Sequence, residues 1–209
     1  MNLSADDVFS KPELFALASI VQVGNAAYKE LLENQRPMLG HKYLTDVRGR
    51  LKTKLVQMQC EIESHESIFP FQFSEESFSF GQIIPQLKTK NVILHIARTP
   101  SPTKLPSISK YKIELSNNNS SLFRQTVLDF TQSKANSLDP LYGILAFGGS
   151  NNEFSIIQFP EPGYKGIADT LIIPQMSILE KQENAETFER KKLRLKNEFL
   201  AREVEASII

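Results

Sequence analysis

A chain of 209 residues, 41% apolar and 23% charged, is long enough for one large core and lies far from the compositions that keep chains disordered. Lys plus Arg equals Asp plus Glu, 24 against 24, so no overall field draws the molecule to nucleic acid or an anionic membrane, and any such affinity has to be local. The single cysteine, Cys60, excludes an intrachain disulfide and a cysteine-built zinc site.

Asp6, Asp7, Lys11 and Glu13 interrupt the first twenty residues, so no secretory leader is read there, and no apolar run approaches the roughly 18 residues of a membrane span. A cytoplasmic protein that neither crosses nor enters a bilayer is the resulting expectation.

The first local signal is Ser10-Lys-Pro-Glu13, a serine at the N-cap, proline at N1 and glutamate at N3, which starts a helix. Leu14, Leu17, Ala18, Val21, Tyr28 and Leu31 continue it at helical spacing until Pro37 and Gly40. Gly24 in its middle costs about 1 kcal/mol relative to alanine, which predicts a close helix contact at that point. Leu44, Val47, Leu51, Leu55, Met58 and Ile62 form the stripe of a second helix, and the two predict a helical pair over 10–66.

From Phe69 the texture changes. Phe71 and Phe73, a polar Ser74-Glu-Glu-Ser77, then Phe78 and Phe80 predict a hairpin whose turn is the polar tetrapeptide. These phenylalanines carry no interleaved cations, so core filling is preferred to base stacking. Asn91 to Ala97 reads as a central strand, and Tyr111, Ile113 and Leu115, alternating with Lys110, Lys112 and Glu114, as a half-exposed one. Between them the segment Thr99 to Ser109 carries three prolines and predicts a long extended surface loop.

Asn117 to Ser121 is a cap cluster before a predicted short helix carrying Leu122, Phe123, Val127, Leu128 and Phe130. Leu141–Phe147 and Phe154–Phe159, joined by Gly148-Gly-Ser-Asn-Asn152, predict the clearest hairpin, and Asp169–Ile173 a third strand. Residues 178–205, charged and free of proline and glycine, predict a long helix with a thin apolar stripe. The whole is expected to be a single α+β domain over 1–209: a helical pair, a sheet region at 69–174 of about five to seven mainly antiparallel strands, and a C-terminal helix.

No phosphate loop, dinucleotide fingerprint, zinc-protease motif or nucleophile elbow occurs. No catalytic residue, cofactor or metal is therefore expected. His41, His65 and His95 lie in separate segments; Glu61 with His65 is two ligands short of a site, and His95 reads as a satisfied strand residue.

Charge is nonetheless segregated. Arg36, Lys42, Arg48, Arg50, Lys52 and Lys54 stand against Asp46 alone, whereas Glu61, Glu63, Glu66, Glu75 and Glu76 follow with no basic residue among them. A basic helix start opposes the macrodipole and is free to serve a partner. Arg48 with Lys52 and Arg50 with Lys54 make two rows able to track phosphates. Arg190, Lys191, Lys192, Arg194 and Lys196 form a second cluster, and Phe188, Leu195 and Phe199 beside it a helix-pairing stripe, for the chain's own core or a second copy. The loop Pro160–Gly166 offers Tyr164 and Lys165 as an exposed binding loop.

These features predict a non-enzymatic regulatory or interaction protein that binds another macromolecule. A protein is the favoured partner, or a second copy through the C-terminal helix. The alternatives are a nucleic-acid binder using the two basic clusters, and a metal-dependent hydrolase drawing on Asp139, Glu153, Asp169 and His95.

Overall fold

The computed structural model describes residues 8–78, 82–123, 139–149, 153–173 and 185–206, and the protein is α+β. The backbone divides into two compact units, one of Met1–Leu14 with Pro70–Ile173 and one of Phe15–Phe69 with Pro174–Ile209. Among the described residues no helix is long and apolar enough to cross a membrane.

A capping box opens α1 (Lys11–Asn34), which from Phe15 onward belongs to the helical unit. The Ser10 backbone N–H donates to Glu13 Oε2 at 2.6 Å while the Glu13 N–H reaches back to Ser10 Oγ at 3.4 Å. After α1 come a helical turn, Arg36–Leu39, and a 3-10 turn, Lys42–Leu44, and then α2 (Thr45–Ser64). The predicted close approach is present: a Cβ on Gly24 would stand 2.7 Å from Val56 Cγ2 and 2.9 Å from Val56 Cα.

The C-terminal helix is α4 (Ala185–Ala206); its predicted start at 178–184 lies outside the described residues. Val23 and Ala27 of α1, Leu55 and Ile62 of α2 and Leu195 of α4 bury one another, with Phe188 and Phe199 packed against them. The stripe offered for pairing therefore packs within the chain's own core.

The sheet unit has the strands β1 (Gln72–Phe78), β2 (Gln82–Lys88), β3 (Val92–Thr99), β4 (Leu141–Gly148), β5 (Phe154–Pro160) and β6 (Ile167–Ile172), in spatial order 1-2-3-4-5-6. All neighbouring pairs are antiparallel except β3 with β4, which is parallel. Every residue of β4 is buried, as its unbroken apolar run requires of a central strand. The segment before α1 belongs to this unit, with the Phe9 ring 6.3 Å from that of Phe159.

Two expectations are corrected. Ser74-Glu-Glu-Ser77 is not a turn but the middle of β1, paired with Gln86, Pro85, Ile84 and Ile83. The β2–β3 ladder runs only over Gln86–Lys88, so Pro85, which has no N–H to donate, lies beyond it.

Lys110–Ser116 is not a strand but a helix, α3, whose first bonds run from the Lys112 and Ile113 N–H groups to the Ser109 carbonyl at 3.1 Å. Six alternating residues fit either period. The parallel β3–β4 pair decides between them, because it needs a crossover rather than a hairpin. Beyond Phe123, the helix expected to carry Val127, Leu128 and Phe130 lies outside the described residues.

The proline segment is an extended loop, tied down along its length. Gln158, fully buried on β5, donates from Nε2 to the carbonyls of Pro102 and Lys104 at 2.8 and 3.2 Å. Tyr164 Oη donates to the Pro106 carbonyl at 3.0 Å. Asn119, also fully buried, accepts from the Tyr142 N–H at 2.8 Å and donates to the carbonyls of Tyr142 and Pro160.

Candidate partner-binding face

The two basic clusters meet opposite fates. In the C-terminal one, each cation has a carboxylate. Lys191 pairs with Glu63 at 2.7 Å, and Glu63, only 8% exposed, also accepts from Gln59 Nε2 at 2.7 Å. Lys192 reaches Glu30 at 3.3 Å and Glu189 at 2.7 Å, Lys196 bonds Glu30, and Arg194 sits 2.7 Å from Glu66 and 3.3 Å from Glu198. Arg190 pairs along its own helix with Glu186 at 2.5 Å, and Arg202 forks onto both oxygens of Glu61.

The acidic end of α2 and Glu30 of α1 thus neutralise the α4 cations. Lys192 and Lys196 hold the Glu30 carboxyl below the ordinary carboxylate range, the hydrogen bond from Lys196 being the largest cause. Because most of these pairs are partly solvated, each contributes on the order of 1 kcal/mol or less.

At the start of α2 the cations separate. Lys52 is 5% exposed with its Nζ 5.8 Å from the centroid of the Tyr28 ring, so it leaves the surface row expected of it. Arg48 is half-buried and its Nε donates to the Leu39 carbonyl at 2.6 Å, bracing the turn ahead of the helix.

Arg36, Lys42, Arg50 and Lys54 remain exposed, and among the described residues none of them forms an ion pair. Two apolar side chains stand between them: Tyr43, 75% exposed with Lys42 Nζ 5.0 Å from its ring centroid, and Val47, 40% exposed. Val47, Arg50 and Lys54 follow the i, i+3, i+7 spacing of one face of α2, with Tyr43 in the 3-10 turn just ahead of it, and these residues are the candidate site. Val47, assigned from spacing to the buried stripe, lies instead at its outer margin. The signal that finds the face is the second periodic set Val47, Arg50 and Lys54.

Tyr164 is a structural residue. It is 6% exposed, at φ 61, and bonded to the proline loop; only Lys165 of that pair is exposed. Such a φ is uncommon outside glycine, and the closed turn imposes it, since the Tyr164 N–H donates to the Glu161 carbonyl and the Glu161 N–H to that of Gly166, both at 2.8 Å.

His95 is satisfied on both ring nitrogens, by Gln86 at 2.8 Å and Tyr142 Oη at 3.1 Å, with the Tyr111 and Tyr142 rings set edge-on at 5.1 and 5.4 Å. Burial, reinforced by the Lys112 and Lys88 charges, pushes its pKa down to about 3, so the ring is neutral at physiological pH. Burial likewise raises the Tyr142 and Tyr164 hydroxyls and the Cys60 thiol, the last helped by Glu63 and Glu61.

The four residues of the hydrolase reading are not brought together. Asp139 precedes β4 and Glu153 precedes β5, at opposite ends of an antiparallel pair about 23 Å long. His95 on β3 and Asp169 on β6 are three strand spacings apart, about 14 Å. Among the described residues no group of three or more His, Cys, Asp or Glu side chains is placed to hold a metal ion. Comparison with protein-family models, with curated proteins and with solved structures returned no match.

Proposed function

We propose that this is a non-enzymatic regulatory or interaction protein that binds another macromolecule, a protein in preference to a nucleic acid, through the basic face at the start of α2. One observation carries the reading. The chain supplies carboxylates to the cations of α4 and leaves those around Tyr43 and Val47 without any among the described residues. Exposed like charges repel one another and cost stability where no counter-charge is supplied, so their retention beside two exposed apolar side chains is best accounted for by a partner.

Self-association through α4 is the weaker form of the proposal. With Phe188, Leu195 and Phe199 packed in the core, the described side chains of α4 offer only Leu193 and Leu200 as large exposed apolar groups, and a stable interface needs about 800 Å² from each partner. A nucleic-acid partner is the second reading, favoured by Arg50 and Lys54 on one row with an exposed tyrosine. A cytoplasmic setting belongs to the same proposal, supported by a lone, buried, reduced thiol.

The test is retention of a partner from native lysate on the immobilised chain, comparing wild type with Arg50→Glu/Lys54→Glu and, as control, with Arg190→Glu. A partner held by wild type and the control but lost from the double variant is expected. Equal retention on all three would remove the face from the function.

A further inference from the structure

We infer that the occupant of this face is an acidic protein segment that brings an apolar side chain between Tyr43 and Val47 and carboxylates onto Arg50 and Lys54; this rests on the proposed function above. The charge is complementary, and among the described residues no carboxylate, Asp46 of the same stretch included, forms an ion pair with Arg50 or Lys54. Among the described residues, every ion pair that α4 makes with α2 or the turn after it falls on Glu61, Glu63 or Glu66, at the far end from Arg50 and Lys54. Arg50 and Lys54 are one turn apart, a rise of about 6 Å, so carboxylates one helical turn apart on the partner meet both.

The apolar component separates this occupant from a polynucleotide. Val47 is exposed one turn before Arg50, and an aliphatic side chain gains nothing from a phosphate backbone. A second copy of this chain is a poor fit, because its own run of glutamates on α2 is already paired with α4.

The experiment uses the full chain and three fluorescein-labelled probes. One is a short glutamate-rich peptide with leucines at helical spacing, one the same peptide with serine for leucine, and one single-stranded oligothymidine of matching charge. Burial of one leucine predicts about tenfold tighter binding of the first peptide than of the second at physiological salt. Tyr43→Ser/Val47→Ser is expected to erase that difference. Arg50→Glu/Lys54→Glu is expected to weaken both peptides, with an unchanged thermal midpoint showing that it still folds.

Equal binding of the two peptides, tighter binding of oligothymidine than of either, binding of no probe, or a dimer in sedimentation that Arg50→Glu/Lys54→Glu dissolves would each overturn the inference. Any of these results together with charge-sensitive retention of a lysate partner defeats the occupant alone. Charge-insensitive retention defeats the proposed function with it.

Discussion

Gly24 of α1 packs directly on Val56 of α2: a methyl group on the glycine would lie 2.7 Å from Val56 Cγ2 and 2.9 Å from its Cα. Gly→Ala inside a helix ordinarily gains about 1 kcal/mol. Here the backbone of the partner helix blocks the methyl group, and Gly24→Ala is expected to lose about 1–3 kcal/mol in urea denaturation. Val56→Ala in the same chain should restore only part of that loss, because the backbone of α2 still stands in the way; full restoration would show that the helices can slide apart.

His95 gives the protein an acid sensitivity with a definite window. The unfolded ring takes up a proton near pH 6.5 and the folded one only near pH 3, so stability is unaffected above pH 6.5 and falls as pH drops between those values. By about pH 5 the loss from this one group is about 2 kcal/mol. Subtracting the stability–pH curve of His95→Gln from that of wild type isolates the effect. A flat difference between pH 7 and about 4 would contradict the burial described for this ring.

Asn119 holds three backbone groups at once, the N–H and carbonyl of Tyr142 and the carbonyl of Pro160, all from a fully buried position. Asn119→Ala leaves these without their partner and is expected to cost about 3 kcal/mol. The exposed pair Lys110–Glu114, 3.9 Å apart, is the control, and Lys110→Ala should change stability by less than about 0.5 kcal/mol. Similar effects from both would mean that the buried bonds are replaced by water.

The α4 helix is held by one fully buried side chain and a set of ion pairs. Leu195→Ala is expected to cost about 2–4 kcal/mol. Lys191→Ala strands the nearly buried Glu63 carboxylate and should cost more than Arg190→Ala, whose partner Glu186 is 80% exposed. Amide exchange along α4 in rising salt measures the electrostatic share; protection of the helix independent of salt would assign its docking to the apolar packing alone.

Tyr164→Phe removes one hydrogen bond, to the Pro106 carbonyl, and leaves the ring in place. A loss of about 1 kcal/mol is expected. Faster proteolysis between Lys104 and Lys110 is expected to accompany it. No change in either would detach the tyrosine from the loop.

Several elements are legible from residue order because their causes are local. The Ser10–Glu13 box is satisfied within four residues, the glycine of α1 announces a close neighbour, and the β4–β5 pair combines apolar runs with turn residues. Lys110–Ser116 is not legible, since its alternation fits a strand and only the parallel pairing of β3 with β4 demands a crossover. The turn of the β1–β2 hairpin is not legible either, since a polar tetrapeptide between phenylalanines fits a turn and only its pairing with Ile83–Gln86 makes it strand.

The candidate site divides in the same way. That α2 is basic at one end and acidic at the other, and that a second basic cluster lies in α4, follows from the order of the residues. Which cations are available for a partner depends on what lies within about 4 Å of each, and that is set by groups up to 166 positions away, as for Lys196 and Glu30. Composition and spacing place charges along a helix, and only the packed chain decides which of them meet a carboxylate and which meet water.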